Sequence, residues 1–175
     1  MKKKKAIIIS GALAQDHEFI YPYYRLLEED IEVDVSILEN TFVKGILGTT
    51  LPPNKNQKLI KISDASVDNY DMLVLPGGVK AMEKVRQSKD IINFINNFDK
   101  KGKIIACICS GAQLLISAKV VKGRKISGYY SMKDDIENAG AIYEDMPAVI
   151  DKNIVTTAHY KDMGPWMKAV IKLLK

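Results

Sequence analysis

Cysteine is scarce: the 175 residues contain two, Cys107 and Cys109, two positions apart. This excludes the disulfide framework that staples small secreted domains. Histidine is equally scarce, with only His17 and His159, and no second Cys/His pair completes a zinc site. No metal and no cofactor is therefore expected. No apolar run approaches the length that spans a bilayer. The segment after the first lysines, Ala6-Ile7-Ile8-Ile9-Ser10, is too short for a signal-peptide core. Only Gly11 follows that segment, where a dinucleotide site would need G-x-G-x-x-G. The net charge of +5 comes partly from Lys2-Lys3-Lys4-Lys5 and a lysine-rich end. These runs lack the aromatic interleaving of a nucleic-acid face and read as solvated termini. The expectation is a chain with free thiols in a reducing cytoplasm, with neither a nucleic-acid nor a membrane partner.

What is present is an ordinary globular composition, 47% hydrophobic and 27% charged. The length suits one domain, residues 1–175, with a sizeable core. Ala6-Ile7-Ile8-Ile9 and Met72-Leu73-Val74-Leu75 are short apolar runs, as strands buried on both faces would be. Residues 31–38 alternate like a second strand. Residues 16–29 predict a helix, with a break or kink near Tyr21 because Pro22 lies inside it. Gly45, Gly48, Pro52 and Pro53 punctuate residues 42–62 into a loop or an excursion of short strands. Residues 81–98 predict helix interrupted near Ser88, and residues 132–138 a short helix. Residues 148–157 read as a hairpin turning at Asp151-Lys152-Asn153, and residues 164–175 as a final amphipathic helix. Strands alternating with helices predict a doubly wound, mostly parallel α/β sandwich.

The stretch with the most chemistry in it is Lys103 to Leu115. A buried strand breaks at Cys109-Ser110-Gly111 and resumes as a helix. A cysteine at such an elbow is aimed away from the sheet edge, as the serine of G-x-S-x-G is. The following amides and the positive end of the helix are expected to stabilise a thiolate. Cys107 fits the core. In doubly wound sheets the carboxyl ends of the parallel strands line the ligand crevice. That rule gathers Ser10 to Glu18, Pro76-Gly77-Gly78, the Cys109 elbow and Thr157 to Tyr160. Glu18 is then either a helix-start acid or a desolvated carboxyl that moves the cysteine's proton. Gly77-Gly78 is either a plain turn or, with Ser110, a source of amides for an oxyanion. His159 is a structural residue or a base for Cys109.

Together these residues resemble the ThiJ/PfpI superfamily of deglycases and intracellular proteases. The resemblance rests on EFIYPYYRL (18–26), LVLPGG (73–78), ACICSGAQLLISAKVVKGRK (106–125), KDDIENAGA (133–141) and NIVTTAHYKD (153–162). It implies a flavodoxin-like sandwich of the class I glutamine amidotransferase type. It assigns Cys109 as elbow nucleophile, Glu18 as the glutamate that contacts it, and the Gly78 and Ser110 amides as oxyanion hole. Tyr129 falls near a pocket-lining position. Glu83 falls near an acid that protease-type members donate across a subunit interface, so a homodimer or larger homo-oligomer is implied. Two departures stand out. Protease-type members follow the cysteine with histidine, here Ser110, and carry a second acid where this chain has Gln15. Lys161 stands two residues after His159 where glutaminases of this fold have glutamate.

The expected activity is cofactor-independent cysteine chemistry on reactive carbonyls, with methylglyoxal or early glycation adducts of proteins and peptides as substrates. A PfpI-type cysteine peptidase is the alternative. A non-enzymatic redox sensor or chaperone-like stress protein, with Cys109 oxidised to a sulfinate, is the other.

Overall fold

The computed structural model describes residues 3–175; Met1 and Lys2, the first of the lysine run, lie outside the described residues. Strands β1 (Lys5–Ser10) and β2 (Glu32–Ile37) are joined by helix α1 (Asp16–Glu28). Next come a small hairpin, β3 (Val43–Lys44) and β4 (Thr50–Leu51), and strand β5 (Met72–Leu75). Helices α2 (Val79–Val85) and α3 (Lys89–Lys100) lead to β6 (Ile104–Ile108) and α4 (Ala112–Ser117). A lateral excursion follows, made of β7 (Lys125–Ile126), α5 (Lys133–Asn138) and β8 (Ile142–Tyr143). The hairpin β9 (Val149–Asp151) and β10 (Ile154–Thr157) and helix α6 (Met163–Leu174) complete the chain.

Six strands form one sheet in the order β2-β1-β5-β6-β10-β9, parallel except where β9 runs antiparallel to β10. This is the mostly parallel, flavodoxin-like architecture expected from the sequence. The apolar runs are fully buried in β1 (6–9), β5 and β6 (105–108) because helices cover both faces. The Trp166 indole N–H donates to the Val155 carbonyl at 3.1 Å and fastens α6 onto β10. Ser88 separates α2 from α3, and its hydroxyl accepts from Ile91 N–H at 3.4 Å as an N-cap.

Two expectations are corrected. Pro22 does not break α1, which runs unbroken through Tyr21 to Glu28. The ring is buried in the core, and proline forgoes only the one backbone bond that would return to the Glu18 carbonyl. The lysine run is not wholly a solvated tail: Lys5 Nζ pairs with Asp34 at 2.8 Å, and its backbone N–H donates to Asp71 at 2.9 Å.

Strand order reverses between β1 and β5: from β1 the chain moves outward to β2, then returns to the other side. A crevice opens at such a switch point. The segments that follow β1, β5, β6 and β10 carry Glu18, Gly78, Cys109 and His159.

Candidate active site

Strand β6 ends at Ile108, and Cys109 adopts φ +59°, the left-handed region that side chains other than glycine rarely occupy. The turn is held from the far side by the Tyr129 N–H, which donates to the Cys109 carbonyl at 3.1 Å. It also needs Gly111, where a Cβ would lie 2.7 Å from the Leu75 carbonyl oxygen and 2.9 Å from that of Pro76. The elbow turns Cys109 away from the strand, half-buried, while Cys107 stays sealed in the core.

Glu18, in the first turn of α1, is wholly buried. Its Oε2 accepts the Gly77 N–H at 2.8 Å, and its Oε1 has no hydrogen bond of normal geometry. A Cβ on Gly77 would fall 2.3 Å from Glu18 Oε2 and 2.8 Å from Cys109 Cβ. The glycine backbone is thus wedged against both Glu18 and Cys109, and no larger residue fits. Gly78 has φ +104°, and a Cβ there would strike Ala14 and Gln15 at 2.6 Å. Its N–H has no acceptor among the described residues.

The electrostatics differ from those expected of an isolated elbow. Burial is the main force raising the Glu18 carboxyl to about 7, and interactions with the Cys109 thiol and the Gly77 N–H hold it from going higher. Burial and the nearby Glu18 charge push the Cys109 thiol up to about 12, against the opposing pull of the Ser110 N–H. The expected thiolate stabilisation by amides and helix is therefore outweighed, first by burial and then by the Glu18 charge. Between those two values the pair holds one proton, and a thiolate forms most readily when that proton sits on Glu18.

Cys109, Glu18, Gly78, Ser110, Tyr129 and His159 line one cavity of about 400 Å³. Glu83 does not join them; it is exposed on α2 and lines an adjoining cavity of about 550 Å³. Ile46, Val79 and Met132 also line this cavity and carry no motif in the sequence; Gln113 and Tyr160, which line it too, lie inside quoted segments without a role of their own. A more open depression of about 720 Å³ lies between residues 62–68 and α3, away from Cys109, where Asp68 and Lys101 pair with each other.

His159 sits within an aromatic rim, its ring 4.0 Å from that of Tyr160 and 6.3 Å from that of Tyr129, centre to centre. Its Nδ1 accepts the Lys161 N–H at 3.2 Å, so the neutral ring carries its proton on Nε2. In that tautomer neither nitrogen is free to take a proton from Cys109.

Asp16 braces the loop that carries Ile46. Its carboxylate accepts the N–H groups of Leu47 and Thr49 at 2.8 and 2.9 Å and is buried. Burial alone would raise its pKa, but these hydrogen bonds together hold it below the usual carboxylate value. Ile46 N–H donates to the Ala14 carbonyl at 2.9 Å, which places the Ile46 side chain at the cavity.

A half-buried cysteine at the elbow of a flavodoxin-like sheet, with a buried glutamate beside it and Gly77 against both, is the arrangement the resemblance leads one to expect. The chain belongs to the DJ-1/PfpI family, whose model matches residues 4–173. Deglycase PfpI of Pyrococcus furiosus is 37% identical over 171 residues, covering 98% of this chain and 99% of that protein. Protein/nucleic acid deglycase 2 of Escherichia coli is 32% identical over 180 residues, covering 99% of each. Among solved structures, a two-domain protein of Anabaena variabilis with DJ-1/ThiJ/PfpI-like and ferritin-like domains superposes with TM-score 0.91 at 30% identity, covering 98% of this chain and 48% of that one. No helix among the described residues is long and apolar enough to cross a membrane.

Proposed function

We propose that this protein is a cofactor-independent cysteine enzyme acting on reactive carbonyls, either free methylglyoxal or its early adducts on proteins and peptides. The observation that carries this reading is the wholly buried Glu18 carboxyl, held by the Gly77 N–H next to Cys109, beside the unengaged Gly78 amide. Cys109 Sγ adds to the aldehyde carbon as its thiol proton passes to Glu18. The Gly78 and Ser110 amides receive the developing oxyanion. Proton return gives a hemithioacetal. Glu18 then moves the aldehyde-derived C–H proton to the neighbouring ketone carbon through an enediol, leaving a thioester. The first carbon is oxidised and the second reduced, so no external redox partner is needed. Water hydrolyses the thioester to lactate and frees the thiol. With an adduct, a hemiaminal at the same carbon, the C–S bond forms as the C–N bond breaks, the amine leaves with the proton, and the later steps are the same. Deglycase relatives support this reading at the level of the family.

A peptidase would need a general base that takes the thiol proton and then, as its conjugate acid, protonates the leaving amine. Ser110 occupies the position next to the nucleophile, and His159 Nδ1 is engaged by the backbone. The test is to incubate wild type and Cys109→Ala with methylglyoxal and measure lactate. The wild type should form it and the variant should not; equal yields would refute the proposal.

A further inference from the structure

Gln113 lies on α4, four residues beyond Cys109, and is 7% exposed. Its amide is clamped from outside the catalytic cavity. Arg86 Nη1 donates to Gln113 Oε1 at 3.2 Å, and Arg86 Nε donates to the Ser117 hydroxyl at 2.9 Å. Because arginine only donates, the amide oxygen must face Arg86 and the amide nitrogen must turn away from it. Arg86 lines the adjoining cavity and not the catalytic one, whereas Gln113 lines both. The Gln113 nitrogen has no hydrogen-bond partner among the described residues, and it is not one of the sealed, unpartnered polar atoms. It is therefore open to a ligand. Among the described buried side chains lining the cavity, Gln113 offers an N–H donor, and the other unpaired donor is the short Ser110 hydroxyl next to Cys109 itself. An amide donor left unpaired in such a place costs free energy until a ligand or water accepts from it.

We infer that Gln113 is a specificity-determining residue that donates to the second carbonyl oxygen of a 1,2-dicarbonyl, oriented for this by Arg86. The inference rests on the carbonyl reading of the Cys109 site. The reacting oxygen occupies the Gly78 and Ser110 amides; the adjacent oxygen needs a donor of its own, and Gln113 supplies it. A simple aldehyde has no second oxygen and leaves that donor empty. Arg86 is a positioning residue here, since it touches only Gln113 and Ser117.

The test separates adduct formation from turnover. Cys109 is alkylated with iodoacetamide in the presence of increasing methylglyoxal or propanal, and the concentration of each that protects the thiol gives its affinity. The ratio of the two cancels intrinsic thiol reactivity. In Gln113→Leu, the preference for methylglyoxal should fall about tenfold relative to wild type, the worth of one hydrogen bond, while unprotected alkylation stays within about twofold. Gln113→Glu, nearly the same shape but unable to donate when ionised, should lose the preference as well and stands in if the leucine variant does not fold. Arg86→Met should show a smaller loss, because the freed amide can still reach the ligand. A preference unchanged in both Gln113 variants overturns the inference while leaving lactate formation, and hence the carbonyl reading, intact. If the wild type is protected but forms no lactate, the turnover reading fails and the assignment of Gln113 still stands or falls on the ratio. Failure of methylglyoxal to protect wild type overturns both.

Discussion

Replacing Glu18 with glutamine should make Cys109 more acidic and the enzyme nearly inert. Burial and the Glu18 carboxylate lift the thiol from 9.0 to about 12. That rise corresponds to about 4 kcal/mol against the thiolate. Burial is the larger part and survives the substitution. The charge and hydrogen-bond contributions of the carboxylate do not, and the Ser110 N–H still favours the anion. The thiol pKa should therefore fall by about one to two pH units, or about 1.4–2.7 kcal/mol. Turnover should nevertheless drop by about a hundredfold or more, because the amide cannot carry a proton. The assay is the rate of iodoacetamide alkylation of Cys109 against pH, read by peptide mass spectrometry. Cys107, held far above its usual value by burial, serves as the unreactive internal control. A thiol pKa unchanged or higher in Glu18→Gln would refute the shared-proton argument. Lactate formation preserved in that variant would refute Glu18 as the proton carrier.

Glu18 also ties stability to pH. Its folded-state pKa of about 7 lies above the ordinary 4.5, so its favourable contribution is complete below 4.5 and is lost as pH rises through about 7. The Tm of Glu18→Gln should accordingly gain on that of wild type across this window, by an amount equivalent to about 3 kcal/mol at most. Asp16→Ala removes the acceptor of the Leu47 and Thr49 N–H groups and should lower stability by about 2–3 kcal/mol in urea unfolding. It should also raise KM, because Ile46 loses its fixed place at the cavity wall. His159→Phe should keep kcat within about threefold, whereas loss of a general base would cost about a hundredfold or more.

The fold was legible because its signals are local. Ile7, Val74 and Ala106 sit in runs that are apolar on both faces, and only a sheet covered on both sides satisfies them. The two-residue strands β3, β4, β7 and β8 are too short to carry a period, so the first pair read only as loop or short strands and the second was not foreseen. The elbow was legible from Cys109-Ser110-Gly111, and the switch-point rule brought Glu18 to it. What the sequence hides is pairing over distance. Gly77, rather than Gly78, holds the Glu18 carboxyl, 59 residues away. Arg86 fixes Gln113 from 27 residues away. The sign of the Cys109 shift was hidden too, since amides and helix are visible in sequence but the degree of burial of a neighbouring acid is not.

The left-handed backbone at Cys109 has a consequence for how such a chain can drift. A residue with a Cβ held there costs about 1–2 kcal/mol that glycine would not. Cys109→Gly should thus melt above Cys109→Ala, although both have lost the nucleophile. Selection for chemistry and selection for a durable fold pull in opposite directions at this one position. A lineage released from the first would be expected to abandon the thiol early, and its descendants would keep the sheet, the cavity and the buried acid as a silent, sturdier relic.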